Sequence, residues 1–266
     1  MDREDFQKYI WKFYKKNKRM LPWRKTKDPY KILVSEVMLQ QTQVKRVIRR
    51  YEEFVKKFPD FPSLCGAPIS SVIKIWSGLG YNRRALYLQK TAAIVQNKHK
   101  GLFPKDPKIL ETFPGIGKAT ACSILVFSFN MPLVFIETNV RRVFIYHFFK
   151  NNEQVYDKEI LKLIGQTIDK KNPREWYWAL MDYGSYLSKI VENPNRKSKH
   201  YSKQSKFECS LRQVRGNVLK ILLEKKNTTK KSLKKIISSV YLDTVLDQLQ
   251  KEGFIVVRKE IISFSG

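Results

Sequence analysis

Cysteine is scarce in this chain: three among 266 residues, Cys65, Cys122 and Cys209, widely separated and odd in number. That pattern excludes a disulfide framework and a four-thiolate metal site, and it suits a reducing compartment. Long apolar runs are missing as well. The longest, such as Ile124 to Phe129, are too short to span a bilayer, and the charged N-terminus carries no signal-peptide core. Acidic residues are few, 24 Asp and Glu against 52 Lys and Arg, which leaves a formal net charge of +28. A surplus of that size makes a cationic surface, and the usual partner of such a surface is a polyanion. The clusters Lys45-Arg46-Arg49-Arg50, Arg83-Arg84, Arg141-Arg142 and Arg196 to Lys206 have the form of a phosphate-binding footprint.

Alternating runs of strand length are absent before residue 250, whereas apolar residues recur at three and four. Ile32, Leu33, Val34, Val37 and Met38 form one such stripe, and Val72, Ile73, Ile75 and Trp76 another. Short breaks at 59–62, 78–80, 101–107 and 114–117 carry Pro or Gly. The pattern predicts an all-α body of about ten short helices. After the polar, basic stretch 193–206, three short helices and a two-stranded ribbon follow. That order suggests either a winged-helix-like module or a small helical cap without nucleic-acid contacts.

The stretch FPGIGKATA, residues 113–121, joins two glycines to a lysine and an apolar run. It is not a nucleotide-binding P-loop, which needs a glycine at 112 and a hydroxyl at 119, where this chain has Thr112 and Ala119. What remains is a tight turn whose glycines leave backbone N–H groups uncovered at the start of a helix, an arrangement suited to one phosphodiester. A plain helix–helix turn fits the residues equally well.

Three stretches together, LPWRKTKDPYKILVSEVMLQQTQV (21–44), WSGLGYNRRALYLQKTA (76–92) and 113–144, resemble the helix-hairpin-helix DNA glycosylases. Within that superfamily they are most similar to the adenine glycosylases of the MutY type, through SEVMLQQT at 35–42. The resemblance implies two helical subdomains flanking an active-site cleft, within a glycosylase domain over 1–207. A six-helix barrel would occupy about 21–134, and a second subdomain would be built from 1–20 plus 135–207. The winged-helix-like α+β module would occupy 208–266. It implies a monomeric hydrolase of N-glycosyl bonds in base excision repair, cytoplasmic and nucleoid-associated. Its partner would be double-stranded DNA with adenine mispaired with 8-oxoguanine or guanine. Same-fold alternatives are a thymine or uracil mismatch glycosylase and a catalytically impaired lesion-binding protein.

Residue by residue, the resemblance makes Glu36 the general acid and Glu137, with Asn139, the group that stabilises the sugar cation and holds water. On periodicity alone Glu36 reads equally as a solvent-facing glutamate, and Glu137 as a helix N-cap. Family members usually have Asp-Gly where this chain has Glu137-Thr138, and the added methylene moves the carboxylate by roughly 1.5 Å on an unchanged backbone. Trp23 and Arg24 would lie near the flipped base, and Leu39 would also contact substrate. Gln41 and Tyr81 would wedge into the base stack, and Asp182 would accept from the adenine amino group. Gly115, Gly117 and Lys118 would hold a DNA phosphate, where relatives often place a monovalent cation. Ala119 stands where strand-cleaving relatives carry the Schiff-base lysine, so base removal without strand cleavage is expected. No cofactor is expected: against the family pattern the iron–sulfur loop is replaced by 192–206 with only Cys209 remaining, and the resemblance predicts no domain that reads oxidised guanine.

Overall fold

The computed structural model describes residues 2–265, and among them helices dominate. The chain begins with α1 (Arg3–Asn17), α2 (Pro29–Leu39), α3 (Val44–Lys57) and α4 (Phe61–Cys65). It continues through α5 (Ile69–Trp76), α6 (Arg83–His99), α7 (Pro107–Glu111) and α8 (Lys118–Phe129). Then come α9 (Thr138–Phe148), α10 (Asp157–Thr167), α11 (Pro173–Ile190) and α12 (Leu211–Lys225). Strand β1 (Asn227–Thr229), α13 (Lys230–Ile236), α14 (Leu242–Glu252), β2 (Ile255–Arg258) and β3 (Ile261–Phe264) complete the order.

The chain divides into two compact units. The first takes the residues up to Glu36, Lys105–Thr112 and Ile116–Lys203. Its centre is aromatic. In α1, Phe6, Ile10 and Tyr14 repeat at four-residue spacing and are buried against α11, whose Trp176 and Tyr177 are fully enclosed. Phe6 meets Phe144 of α9 at 5.4 Å and Trp176 edge-on at 6.1 Å. The Tyr177 hydroxyl accepts from the Phe135 N–H at 3.0 Å and donates to the Leu133 carbonyl at 3.1 Å, which fixes the strandless segment that leads into α9.

The second unit takes Val37–Pro104, Phe113–Gly115 and the residues from Gln204 onward. Helix α6 packs on α4 and α5, α3 packs on α5, and α12 packs on α5 and α14. A capping box between Asp60 and Ser63 starts α4. The sheet has the order β1-β3-β2, antiparallel throughout, with Thr228 opposite Ile262 and Val256 opposite Ser263. The C-terminal segment therefore has one strand more than its sequence suggests. Asn227–Thr229 spans three residues, too short for alternation to register.

Candidate active site

Helix α2 is buried at every position from Ile32 to Met38 except Glu36, which keeps partial exposure. One carboxyl oxygen of Glu36 accepts from the Ser123 hydroxyl of α8 at 2.6 Å. Desolvation pushes its pKa up to about 7. The Glu137 charge pushes in the same direction, while the Ser123 hydrogen bond and the Arg24 charge oppose it. Glu36 and Glu137 thus lie in one unit and sense each other electrostatically, although a hundred positions separate them.

Glu137 is the N-cap of α9: its Oε1 accepts from the Val140 N–H at 2.7 Å. Oε2 accepts from Asn139 Nδ2 at 3.2 Å. The Asn139 amide is oriented in turn by Arg142, which donates to Asn139 Oδ1 at 2.7 Å and to the Gly184 carbonyl at 2.9 Å. Burial raises the Glu137 pKa, opposed by hydrogen bonds from the Asn139 and Val140 backbones and by the Arg142 charge. The N-cap position and the approach to Glu36 are therefore properties of one side chain. The cap and the helix N-terminus favour the Glu137 anion, but burial outweighs them and leaves Glu137, like Glu36, above the ordinary carboxylate range.

Two further elements fix the start of α9. Gly184 packs against Asn139 so closely that a Cβ there would meet the Asn139 backbone and, at 2.7 Å, its Cβ. Asn195, buried in the 3-10 turn Pro194–Lys197, donates to the Thr138 carbonyl at 3.0 Å. That turn lies in the basic stretch 192–206, and Val155 anchors the stretch through backbone bonds with Lys197 and Lys199.

Trp23 is buried in the turn Pro22–Lys25, and Arg24 beside it stacks over Trp178 at 5.3 Å. Asp182 differs from the expected amino-group acceptor. Its Oδ1 accepts from Arg19 Nε and Arg24 Nη2, and its Oδ2 from the Arg19 N–H and Arg24 Nη1. Four donors fill the four lone-pair positions of a carboxylate, and the side chain is 1% exposed. Asp182 holds Arg24 in place and has no lone pair left for a base.

In the hairpin, Gly115 has φ +74°, and a Cβ would meet the Tyr87 ring at 2.7 Å, so a side chain there is strained and displaces Tyr87. Gly117 caps α8 without a side-chain acceptor. Gly117 and Lys118 are exposed, which leaves the first-turn N–H groups facing outward. The Gly115 carbonyl accepts from Gln40 at 3.2 Å. In the second unit, Leu39 ends α2 half-buried, Gln41 is exposed with φ 54°, and Tyr81 is half-buried with φ 47°.

Sequence reasoning missed Ser123, Gly184 and Asn195, and it assigned Arg84 and Arg142 to phosphate binding. Ser123 had a signal, as a hydroxyl inside the apolar run of α8. The cluster Arg141-Arg142 is not a phosphate footprint: Arg141 pairs with Asp157 at 2.7 Å and Arg142 serves Asn139. Arg83 and Arg84 are likewise engaged within the protein, by Glu252 and by backbone carbonyls. The three cysteines, with Cys122 buried and Cys209 exposed, do not fit a four-cysteine iron–sulfur cluster. Among the described residues no group of three or more His, Cys, Asp or Glu could hold a metal ion, and no helix is long and apolar enough to cross a membrane.

Residues 34–166 match the model of the HhH-GPD superfamily base excision DNA repair proteins. The chain belongs to that superfamily. The adenine DNA glycosylase of Buchnera aphidicola subsp. Baizongia pistaciae is 40% identical over 181 residues, 66% of this chain and 50% of that protein. The chain thus spans about half the length of this relative. The thymine/uracil-DNA glycosylase of Methanothermobacter thermautotrophicus is 29% identical over 70% of this chain and 85% of its own. The solved structure of a thermostable thymine-DNA glycosylase superimposes with a TM-score of 0.64 at 26% identity, covering 73% of this chain and 91% of that one. The helical fold expected from the sequence is the fold of this superfamily.

Proposed function

We propose that the protein is a monofunctional DNA glycosylase of base excision repair that removes adenine mispaired with 8-oxoguanine or guanine. The observation that carries the reading is the electrostatically linked pair Glu36 and Glu137, one carboxyl held near a pKa of 7 and the other bonded at a helix N-terminus by the Val140 N–H and the Asn139 amide. Adenine is a poor leaving anion, so its departure needs a proton on a ring nitrogen and stabilisation of the positive charge that develops on the sugar. Glu36 donates that proton as the C1′–N9 bond breaks and its electron pair goes to the base. Glu137 faces the cationic C1′, with Asn139 holding the water that adds there. The proton released by the water returns to a carboxylate.

The base reaches these groups by leaving the stack. Trp23 and Arg24 line its pocket, with Asp182 as the anchor of Arg24, and Leu39, Gln41 and Tyr81 occupy the space it vacates. Gly115, Gly117 and Lys118 grip the adjacent phosphate through exposed amides and the α8 dipole. The Gly115 carbonyl, with one lone pair free beside Gln40, is offered to a monovalent cation. Ala119 supplies no amine, so the product is an intact strand with an abasic site. The protein acts as a monomer.

A thymine or uracil mismatch reading is favoured by one observation, the 85% coverage of the thymine/uracil-DNA glycosylase relative. One experiment separates the two. Duplexes carrying A:8-oxoG, A:G, T:G and U:G are incubated with the protein, and abasic sites are then opened with alkali. Strand breaks are expected only from the adenine duplexes and only after alkali. Breaks from T:G or U:G would favour the mismatch reading, breaks before alkali would contradict the monofunctional assignment, and tight binding with no product would favour a lesion-binding protein.

A further inference from the structure

The most heavily bonded buried cation outside the acid pair is Arg84. It lies at the start of α6, 8% exposed, where burial lowers its pKa to about 10 and so leaves it charged at neutral pH. Its Nη1 donates to the carbonyls of Val37, Met38 and Gln40 at 2.9, 2.9 and 2.5 Å. Its Nη2 donates to the Thr42 hydroxyl at 2.9 Å and to the carbonyls of Leu79 and Gly80 at 3.4 and 3.0 Å. The first group ends α2, where unsatisfied carbonyls and the negative helix terminus attract a cation. In the second group, Leu79 and Gly80 belong to the turn between α5 and α6, and Thr42 to the loop that follows α2.

Each of these turns carries a non-glycine residue in the left-handed region, Gln41 at φ 54° and Tyr81 at φ 47°. Such conformations persist only where surrounding contacts over-determine them. The guanidinium provides those contacts for both turns at once, and it also lies over the Tyr81 ring at 5.5 Å. Thr42 links them a second time, since its hydroxyl donates to the Leu79 carbonyl at 3.2 Å.

We infer that Arg84 is the positioning residue that locks the Gln41 and Tyr81 turns into one rigid presenting surface, so that it sets discrimination between mispaired and matched duplex. The inference rests on the proposal that Gln41 and Tyr81 enter the base stack. A planar five-donor group is required, because a lysine ammonium has three donors and cannot bridge two turns in a plane.

The test compares affinity for a matched duplex with affinity for one carrying 2′-fluoro-2′-deoxyadenosine, which resists hydrolysis, opposite 8-oxoguanine. For Arg84→Lys the expected result is a loss of about tenfold or more in mispair affinity, with matched-duplex affinity unchanged within about twofold. Thr42→Val, which removes the hydroxyl's bonds to Arg84 and to Leu79 and leaves the guanidinium its carbonyl acceptors, should move the same ratio by roughly threefold to fivefold and serves if Arg84→Lys does not fold. Equal losses on both duplexes, or no loss on the mispair, would overturn the inference. The double variant Gln41→Ala/Tyr81→Ala separates the two levels. If it binds the mispair as wild type does, the underlying proposal fails. If it loses mispair affinity while Arg84→Lys and Thr42→Val do not, the inference alone fails.

Discussion

Glu36→Gln is expected to reduce single-turnover adenine release by about 10³-fold or more while making the folded protein more stable above pH 7. The amide has no proton of suitable acidity to give, so the loss falls on the chemical step and mispair binding stays near wild type. The stability gain follows from linkage. The Glu36 pKa is raised from 4.5 to about 7 in the folded state, so the native protein binds this proton more tightly than the unfolded chain. The resulting stabilisation is complete below pH 4.5 and lost as pH rises through 7. At higher pH the native state carries a buried anion that an isosteric amide avoids. The gain is about 3 kcal/mol at pH 8, at ~1.4 kcal/mol per pKa unit, and close to zero at pH 4. Thermal unfolding of both proteins at pH 4 and pH 8 measures it. Equal stability at pH 8 would mean that Glu36 is well solvated.

Glu137→Gln is expected to lower the same rate by roughly 10²–10³-fold, again with little change in affinity. An amide oxygen still accepts from the Val140 N–H, so the α9 cap survives and the fold is retained. What is lost is the negative charge that the proposed mechanism sets against C1′. The Nδ2 group of Asn139 keeps its orientation, because Arg142 and Gly184 set it independently of the charge. A rate within about threefold of wild type would show that a carboxylate at 137 is not used in the chemistry.

The two positions differ in how well the sequence foretold them. Periodicity left Glu36 open between a solvent-facing glutamate and a catalytic acid, and its motif supplied the expected role. Glu137 was legible as an N-cap or as a catalytic acid, and the structure gives it the first property while bringing it within electrostatic reach of Glu36. The helical body was legible because three- and four-residue apolar spacing survives in α2 and α5. Strand β1 was not, since three residues carry no period. Charge clusters misled most. Arg83, Arg84, Arg141 and Arg142 look alike in sequence, yet each has a partner set by contacts from distant segments: Glu252, the end of α2, Asp157 and Asn139. Asp182 likewise needed coordinates, because only they reveal that Arg19 and Arg24 saturate it. Gly184 follows the same logic: only a second helix at van der Waals distance explains why a helical position lacks a side chain.

The pH dependence of adenine release under single-turnover conditions, on a duplex with A opposite 8-oxoguanine, bears most directly on the division of labour between the two carboxyls. With Glu36 as the proton donor the rate should be high on the acid side and fall about tenfold per pH unit above roughly 7. It should fall again at low pH as Glu137 takes up a proton. A rate that stays level from pH 6 to 9, or climbs with pH across that range, would contradict it.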